Sequence, residues 1–163
     1  MSFPPFAMAG CISTLLDPAR IVLHLQSTDR AGALQELAHR LADHGDVTDF
    51  NGFYEDLLIR DRLDSTCLGN GLALPHARTV HVRSIVLAVG RSDAGIVFEG
   101  GQDHVNLLFM LGTPQSQPGE YLVVLRALCK ICKAPADRAA LLAAPTPAAF
   151  ISAVAAIEAR LGL

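Results

Sequence analysis

Two short, almost wholly apolar runs constrain this chain most. They are Ser84 to Val89, SIVLAV, and Val105 to Leu111, VNLLFML. Each is too short for a buried helix and rich in β-branched or large aliphatic residues, so both read as buried strands. Amphipathic helical patterns flank them. Leu34, Leu37, Ala38 and Leu41 recur at helical spacing, with Gly45 as a stop, and Phe50, Phe53, Tyr54, Leu57 and Leu58 form a second stripe. Downstream, Tyr121, Leu125, Leu128, Cys129 and Cys132 share a predicted face. Asp137 to Leu142 suggests a short helix, and Phe150, Val154, Ile157 and Leu161 mark a last one. Thr146-Pro147 supplies that helix with an N-cap and a proline at its first position.

Ile21 to Leu25, IVLHL, adds an early strand, and Ile96 to Phe98 a short one between the two apolar runs. Gly112 to Gly119 reads as a loop. The order of strand, two helices, several strands and then helices implies an α/β domain whose sheet is covered on both faces. At 163 residues, 51% hydrophobic and 18% charged, the chain suits one well-packed domain over 12–163. Residues 1–11, MSFPPFAMAGC, lack the charged start and apolar segment of a leader and read as a flexible arm.

Charge and motifs exclude several classes of function. A net charge of -3 without a basic run gives no footprint for nucleic acid. No apolar run approaches the ~20 residues of a membrane span, so no membrane insertion and a cytoplasmic location are expected. No metal is expected either: no HxH or HExxH spacing occurs among the six histidines, and the single CxxC at Cys129 and Cys132 has no matching pair. Those cysteines read as buried free thiols. No GxSxG or P-loop appears, and no cofactor is called for.

What remains is LGNGLALPHA, Leu68 to Ala77. Gly69 and Gly71 permit a tight turn, and Pro75 stiffens the entry to His76. A neutral imidazole attacks a phosphoryl group readily, and the resulting N–P bond is labile enough to pass it on. The oxygens of that group need positive charge and donors, available from the Gly69-Asn70-Gly71 amides, the Asn70 side chain, and Arg60 or Arg62. Leu72, Leu74 and Ala77 offer either an apolar docking face or packing beneath the loop.

The stretch RDRLDSTCLGNGLALPHA from Arg60 resembles the active-site region of IIA domains of the mannitol/fructose type. These belong to the bacterial phosphoenolpyruvate-dependent phosphotransferase system. Ser65-Thr66, Gly69, Gly71, Ala73 and Pro75-His76 carry the likeness, which extends in element order over Ile12 to Arg160. The resemblance implies a three-layer α/β/α sandwich with a mixed β-sheet. It implies that His76 accepts phosphate from HPr, on Nε2, with Arg60 nearby. Ser65, Asn70 and Gly71 would support the phosphate, and a IIB domain or regulated target proteins would be partners. The family's usual second histidine falls at Tyr121, while Asp61 stands for a usual Glu and Asp64 for a common Gly. The opening ISTLLDPARIVLHLQSTDRAGALQELA resembles the stand-alone, nitrogen-related branch, which regulates partners by phosphorylation state. Two alternatives remain open: a IIA subunit of a sugar-transporting system, and a binding protein in which Tyr121 marks impaired transfer.

Overall fold

A computed structural model describes residues 11–63, 66–98 and 104–163. Its helices are α1 (Cys11–Leu15), α2 (Arg30–Ala38), α3 (Phe50–Leu63), α4 (Pro118–Ile131), α5 (Pro135–Ala143) and α6 (Pro147–Leu161). Its strands are β1 (Ile21–Val22), β2 (Cys67–Gly69), β3 (Leu72–Ala73), β4 (His76–Thr79), β5 (Val86–Val97) and β6 (His104–Pro114). Cys11, grouped with the arm in the sequence reading, is buried in α1; the rest of that arm lies outside the described residues.

The sheet is mixed. β5 and β6 form a long antiparallel pair, with Leu87 opposite Leu111 and Val89 opposite Phe109. β1 runs parallel to β5 on its other side. The second edge of β6 is taken by β3 and then β4, both parallel to it, and β2 folds back antiparallel on β3. Side chains alternate across the pleat and fill two cores. Leu87, Val89, Leu107, Phe109 and Leu111 face α1, α4, α5 and α6. Val86, Ala88, Leu108 and Met110 face α2 and α3. This is the three-layer α/β/α sandwich expected from the sequence.

Several local expectations needed correction. The first strand keeps ladder geometry for two residues only, although the Leu25 amide still bonds the Arg91 carbonyl at 3.0 Å. Ile96 belongs to β5 rather than to a separate strand, beyond a register shift that Gly95 accommodates at φ 84°. The apparent loop at Gly112 begins as the end of β6, because Gly112 to Pro114 pair with β4. In α4 the buried face is Val124, Ala127, Leu128, Ile131 and Cys132, which leaves Cys129 exposed. Burial and the neighbouring Cys129 push the Cys132 thiol up to about 12, so it is an unreactive core group.

The glycine-rich segment is mostly strand. Gly69, Asn70 and Gly71 all adopt left-handed backbone (φ 82°, 55° and 76°) and close the β2–β3 hairpin. Leu72 and Leu74 are buried in one core and Ala77 in the other, so none of the three offers a docking face.

Candidate functional site

β3 and β4 are successive segments of one path along β6, broken at Leu74-Pro75. Proline has no amide hydrogen to give to a ladder. The Pro75 carbonyl still accepts from the Leu111 amide at 2.9 Å. The Leu74 carbonyl instead takes the imidazole of His76, whose Nδ1 lies 2.8 Å away. A carbonyl only accepts, so Nδ1 carries the hydrogen and Nε2 keeps its lone pair. That nitrogen accepts the Tyr121 hydroxyl at 2.9 Å. The two rings stack with centroids 5.1 Å apart and planes inclined by 29°.

His76 is 9% exposed. Burial lowers its pKa below the ordinary imidazole value, and the positive charge of Arg60 lowers it further. The Leu74 carbonyl opposes both by favouring the protonated ring. The net result is a neutral imidazole with a defined tautomer whose Nε2 carries the lone pair.

β4 lies at the edge of the sheet beside β6, so groups from both helical layers reach His76. Tyr121 comes from the first turn of α4, which begins at Pro118 and carries the positive end of a 14-residue helix dipole. Arg60 comes from the last turn of α3 on the opposite face. Phe53 and Leu57 of α3 are buried in the core beneath Ala77, and the Thr79 hydroxyl donates to Asp56 at 2.6 Å, tying α3 to β4. Gly112, opposite Ala77, completes the seat: a Cβ there would lie 2.7 Å from Phe53 Cε2.

The other residues singled out in the sequence are not all gathered here. Asn70 and Gly71 sit at the hairpin tip, where the Gly71 carbonyl accepts from the Asn106 and Leu107 amides. His76 pairs five residues further along the path, roughly 16 Å away at strand rise. Their positive φ angles account for them as turn formers. Arg62 faces the α2 side of α3. Ser65 and Asp64 lie outside the described residues. No cluster of metal-ligating side chains occurs among the described residues.

Sequence reasoning passed over the Leu74 carbonyl. Nothing in the sequence marked it, because the proline that follows removes a ladder donor and not an acceptor. Thr66 and Thr113 were also passed over as polar core groups. Their hydroxyls are buried without a hydrogen-bond partner, and Thr113 lies two residues past Leu111, the partner of His76, on the same face of the sheet.

Comparison with known proteins bears on the fold and the family. The nitrogen regulatory protein of Pseudomonas aeruginosa is 29% identical over 148 residues, covering 90% of this chain and 96% of that protein. The 2-O-alpha-mannosyl-D-glycerate-specific EIIABC component of Escherichia coli is 31% identical over 146 residues. That match takes in 88% of this chain but spans only 22% of the larger protein. Among solved structures, the nitrogen regulatory protein IIA-Ntr of Neisseria meningitidis superposes with a TM-score of 0.80 at 26% identity, covering 88% of this chain and 98% of its own. The family described as phosphoenolpyruvate-dependent sugar phosphotransferase system, EIIA 2, matches residues 14–156, from α1 to within α6, and so takes in the sandwich and the His76 site together. The chain belongs to that family.

Proposed function

We propose that this protein is a phosphocarrier IIA that accepts a phosphoryl group on His76 Nε2 from an HPr-type phosphocarrier and signals through partner proteins by its phosphorylation state. One observation carries the reading: Nδ1 is held by the Leu74 carbonyl while a neutral Nε2 is presented at the sheet edge. The Nε2 lone pair attacks the phosphorus of the incoming phosphohistidine. The N–P bond of the donor breaks as the new one forms, and the donor imidazole keeps the electron pair. Before attack the Tyr121 hydroxyl must leave the lone pair. It is then placed to donate to a phosphoryl oxygen, with Arg60 and the first turn of α4 supplying positive potential.

The regulatory role is favoured by likeness to two nitrogen regulatory proteins that this fold matches along nearly their whole length. Phosphorylation adds ~1.5–2 negative charges to the surface at β4 and so changes which partners dock. Ile59, Leu63, Leu68 and Leu122 are exposed apolar side chains on the elements that carry Arg60, the hairpin and Tyr121. A partner that meets this face would bury them. Transfer to a IIB domain is the second reading, supported by the sugar-specific relative whose name joins A, B and C components.

The test is incubation with phosphoenolpyruvate, enzyme I and HPr, followed by mass spectrometry under alkaline conditions. The expected result is one acid-labile phosphoryl group, absent in His76→Ala. No mass gain while a control IIA is labelled would leave the chain a binding protein.

A further inference from the structure

The buried stripe of α3 runs Phe53, Leu57, Asp61, with four residues between successive members. Its first two members are apolar and its last is a carboxylate. In the last turn, Arg60 to Leu63, no apolar side chain is buried, and Leu63 is 76% exposed. The bond from Thr79 to Asp56 acts earlier on the helix. The end of α3 that carries Arg60 is therefore held by something other than apolar packing.

Asp61 supplies that anchor through Arg30. Its Oδ2 accepts from Arg30 Nε at 2.7 Å, and Arg30 Nη2 donates to the Asp61 main-chain carbonyl at 2.7 Å. That carbonyl is one of the last four of α3, which have no partner within the helix. One guanidinium thus grips both the side chain and the backbone of a single residue. Its charge also suits the negative end of the α3 dipole. Asp61 is 8% exposed, and a carboxylate buried so far stays ionised at low cost only while it is paired.

Arg30 is placed for this contact and not for its own helix. It is the first residue of α2, where a positive charge opposes the dipole. Its guanidinium sits over the ring of Phe98, the residue after β5, 5.4 Å from the centroid. The chain before it is joined to the same strand: Asp29 bridges to Val97, whose amide donates to the Thr28 carbonyl at 3.4 Å. The last turn of α3 is thereby fastened through Arg30 to the end of β5. Arg60 precedes Asp61, about 100° round the helix, and its charge acts on His76.

We propose that Arg30 and Asp61 are positioning residues for phosphoryl transfer, their pair fixing the last turn of α3 so that the Arg60 guanidinium is held beside His76. The inference rests on the phosphocarrier reading above. Its test is the His76 pKa, followed by long-range ¹H–¹⁵N spectra of the unphosphorylated whole chain, in Arg30→Met and in Asp61→Asn. The two changes alter charge in opposite directions. Acting through space, loss of the cation would raise the His76 pKa and loss of the anion would lower it. Acting through Arg60, both release the last turn and both raise it, which is the expected result. In an Arg60→Met background neither change should move it further. Phosphoryl acceptance from phosphorylated HPr should slow at least about tenfold in each single variant. Should Arg30→Met fail to fold, Asp61→Asn, which keeps the shape of the site, carries the test.

Opposite shifts in the two variants overturn the proposal, as does an additive shift in the Arg60→Met background. A fall in melting temperature with the parent's His76 pKa overturns it too, since the pair would then be merely structural. The pKa pattern is read without any transfer step. A parent chain that takes no phosphate therefore sinks the phosphocarrier reading, while unmoved pKa values in a parent that is labelled sink this one.

Discussion

Tyr121 donates its hydroxyl to Nε2 of His76 across 2.9 Å, and the two rings stack. The tyrosine therefore occupies the lone pair that the proposed phosphorylation would use, and would then stand beside the phosphoryl oxygens as a neutral donor. Tyr121→Phe keeps the stack and removes only the donor. A hydrogen bond to a charged phosphoryl oxygen contributes about 2 kcal/mol, so the phosphohistidine lifetime should shorten roughly thirtyfold in the variant. Loss of the acid-labile phosphate over time, followed by mass spectrometry, measures it. An unchanged lifetime would place the hydroxyl away from the phosphoryl group.

The electrostatics of His76 give a second prediction. Burial is the larger cause of its lowered pKa and Arg60 contributes after it. Arg60→Met should therefore raise the His76 pKa without restoring the ordinary value, whereas Arg60→Lys should leave it low. Long-range ¹H–¹⁵N spectra that follow the ring nitrogens report both the pKa and the tautomer. A pKa unmoved in Arg60→Met would show that the guanidinium does not reach the imidazole.

The same depression sets a pH dependence of stability. An imidazole with a folded pKa below its unfolded one binds protons less readily when folded, so stability is present above the unfolded value and is lost as pH falls. The loss begins near ~6.5, the unfolded value, and ends once the folded group also titrates. His76→Gln removes this contribution. Melting temperatures measured from about pH 7.5 down to about pH 5 should fall less steeply in the variant than in the parent. Parallel curves would remove His76 as a source of acid sensitivity.

How much of this was legible in the sequence depended on whether a segment's neighbours were local. The N-cap of α6 is a local device, and Thr146 Oγ1 accepts from the Ala149 amide as the Thr-Pro pair suggested. The α3 stripe held because Phe53 and Leu57 lie one turn apart on a face that meets the sheet. The β2, β3 and β4 strands escaped notice because each has four or fewer residues. β3 and β4 take their pairing from β6, about 35 positions on, and β2 takes its pairing from β3, not from any period of their own. In α4 the spacing fitted two neighbouring faces, and contact with α1 and α6 selected the one holding Val124 and Ile131. At the site, His76 was singled out from the glycine turn and the proline before it, and Tyr121 from the resemblance. The distance of Asn70 and Gly71 from His76 emerged only once the hairpin was seen to extend away along β6.

A fourth prediction concerns the N-terminal helix. Glu158 of α6 is 1% exposed, and its carboxylate accepts from the amides of Ile12 at 2.9 Å and Ser13 at 3.0 Å. It closes the start of α1 against the core. Glu158→Gln keeps the shape, loses the charge-assisted bonds and turns an NH₂ toward one of two donors. The expected cost is about 2 kcal/mol. For a chain of this size that is a fall in melting temperature of roughly 4–8 °C. Hydrogen exchange should rise first at Ile12 and Ser13; a uniform rise across the sheet would show that α1 does not open separately.

The last prediction joins packing to chemistry at Gly112. A methyl group there would meet Phe53 Cε2 at 2.7 Å and Val86 Cγ2 at 2.9 Å, both from well-packed residues. Val86 is fixed in the ladder opposite Gly112, so α3 must yield by shifting Phe53 outward. Overpacking of this kind costs about 1–3 kcal/mol. The shift also carries Arg60, two turns further along the same helix, away from β4. Gly112→Ala should therefore lower stability, raise the His76 pKa in the same direction as Arg60→Met, and slow phosphoryl acceptance. A variant that loses stability but keeps the parent's His76 pKa would show that α3 pivots about its C-terminal end and leaves Arg60 in place.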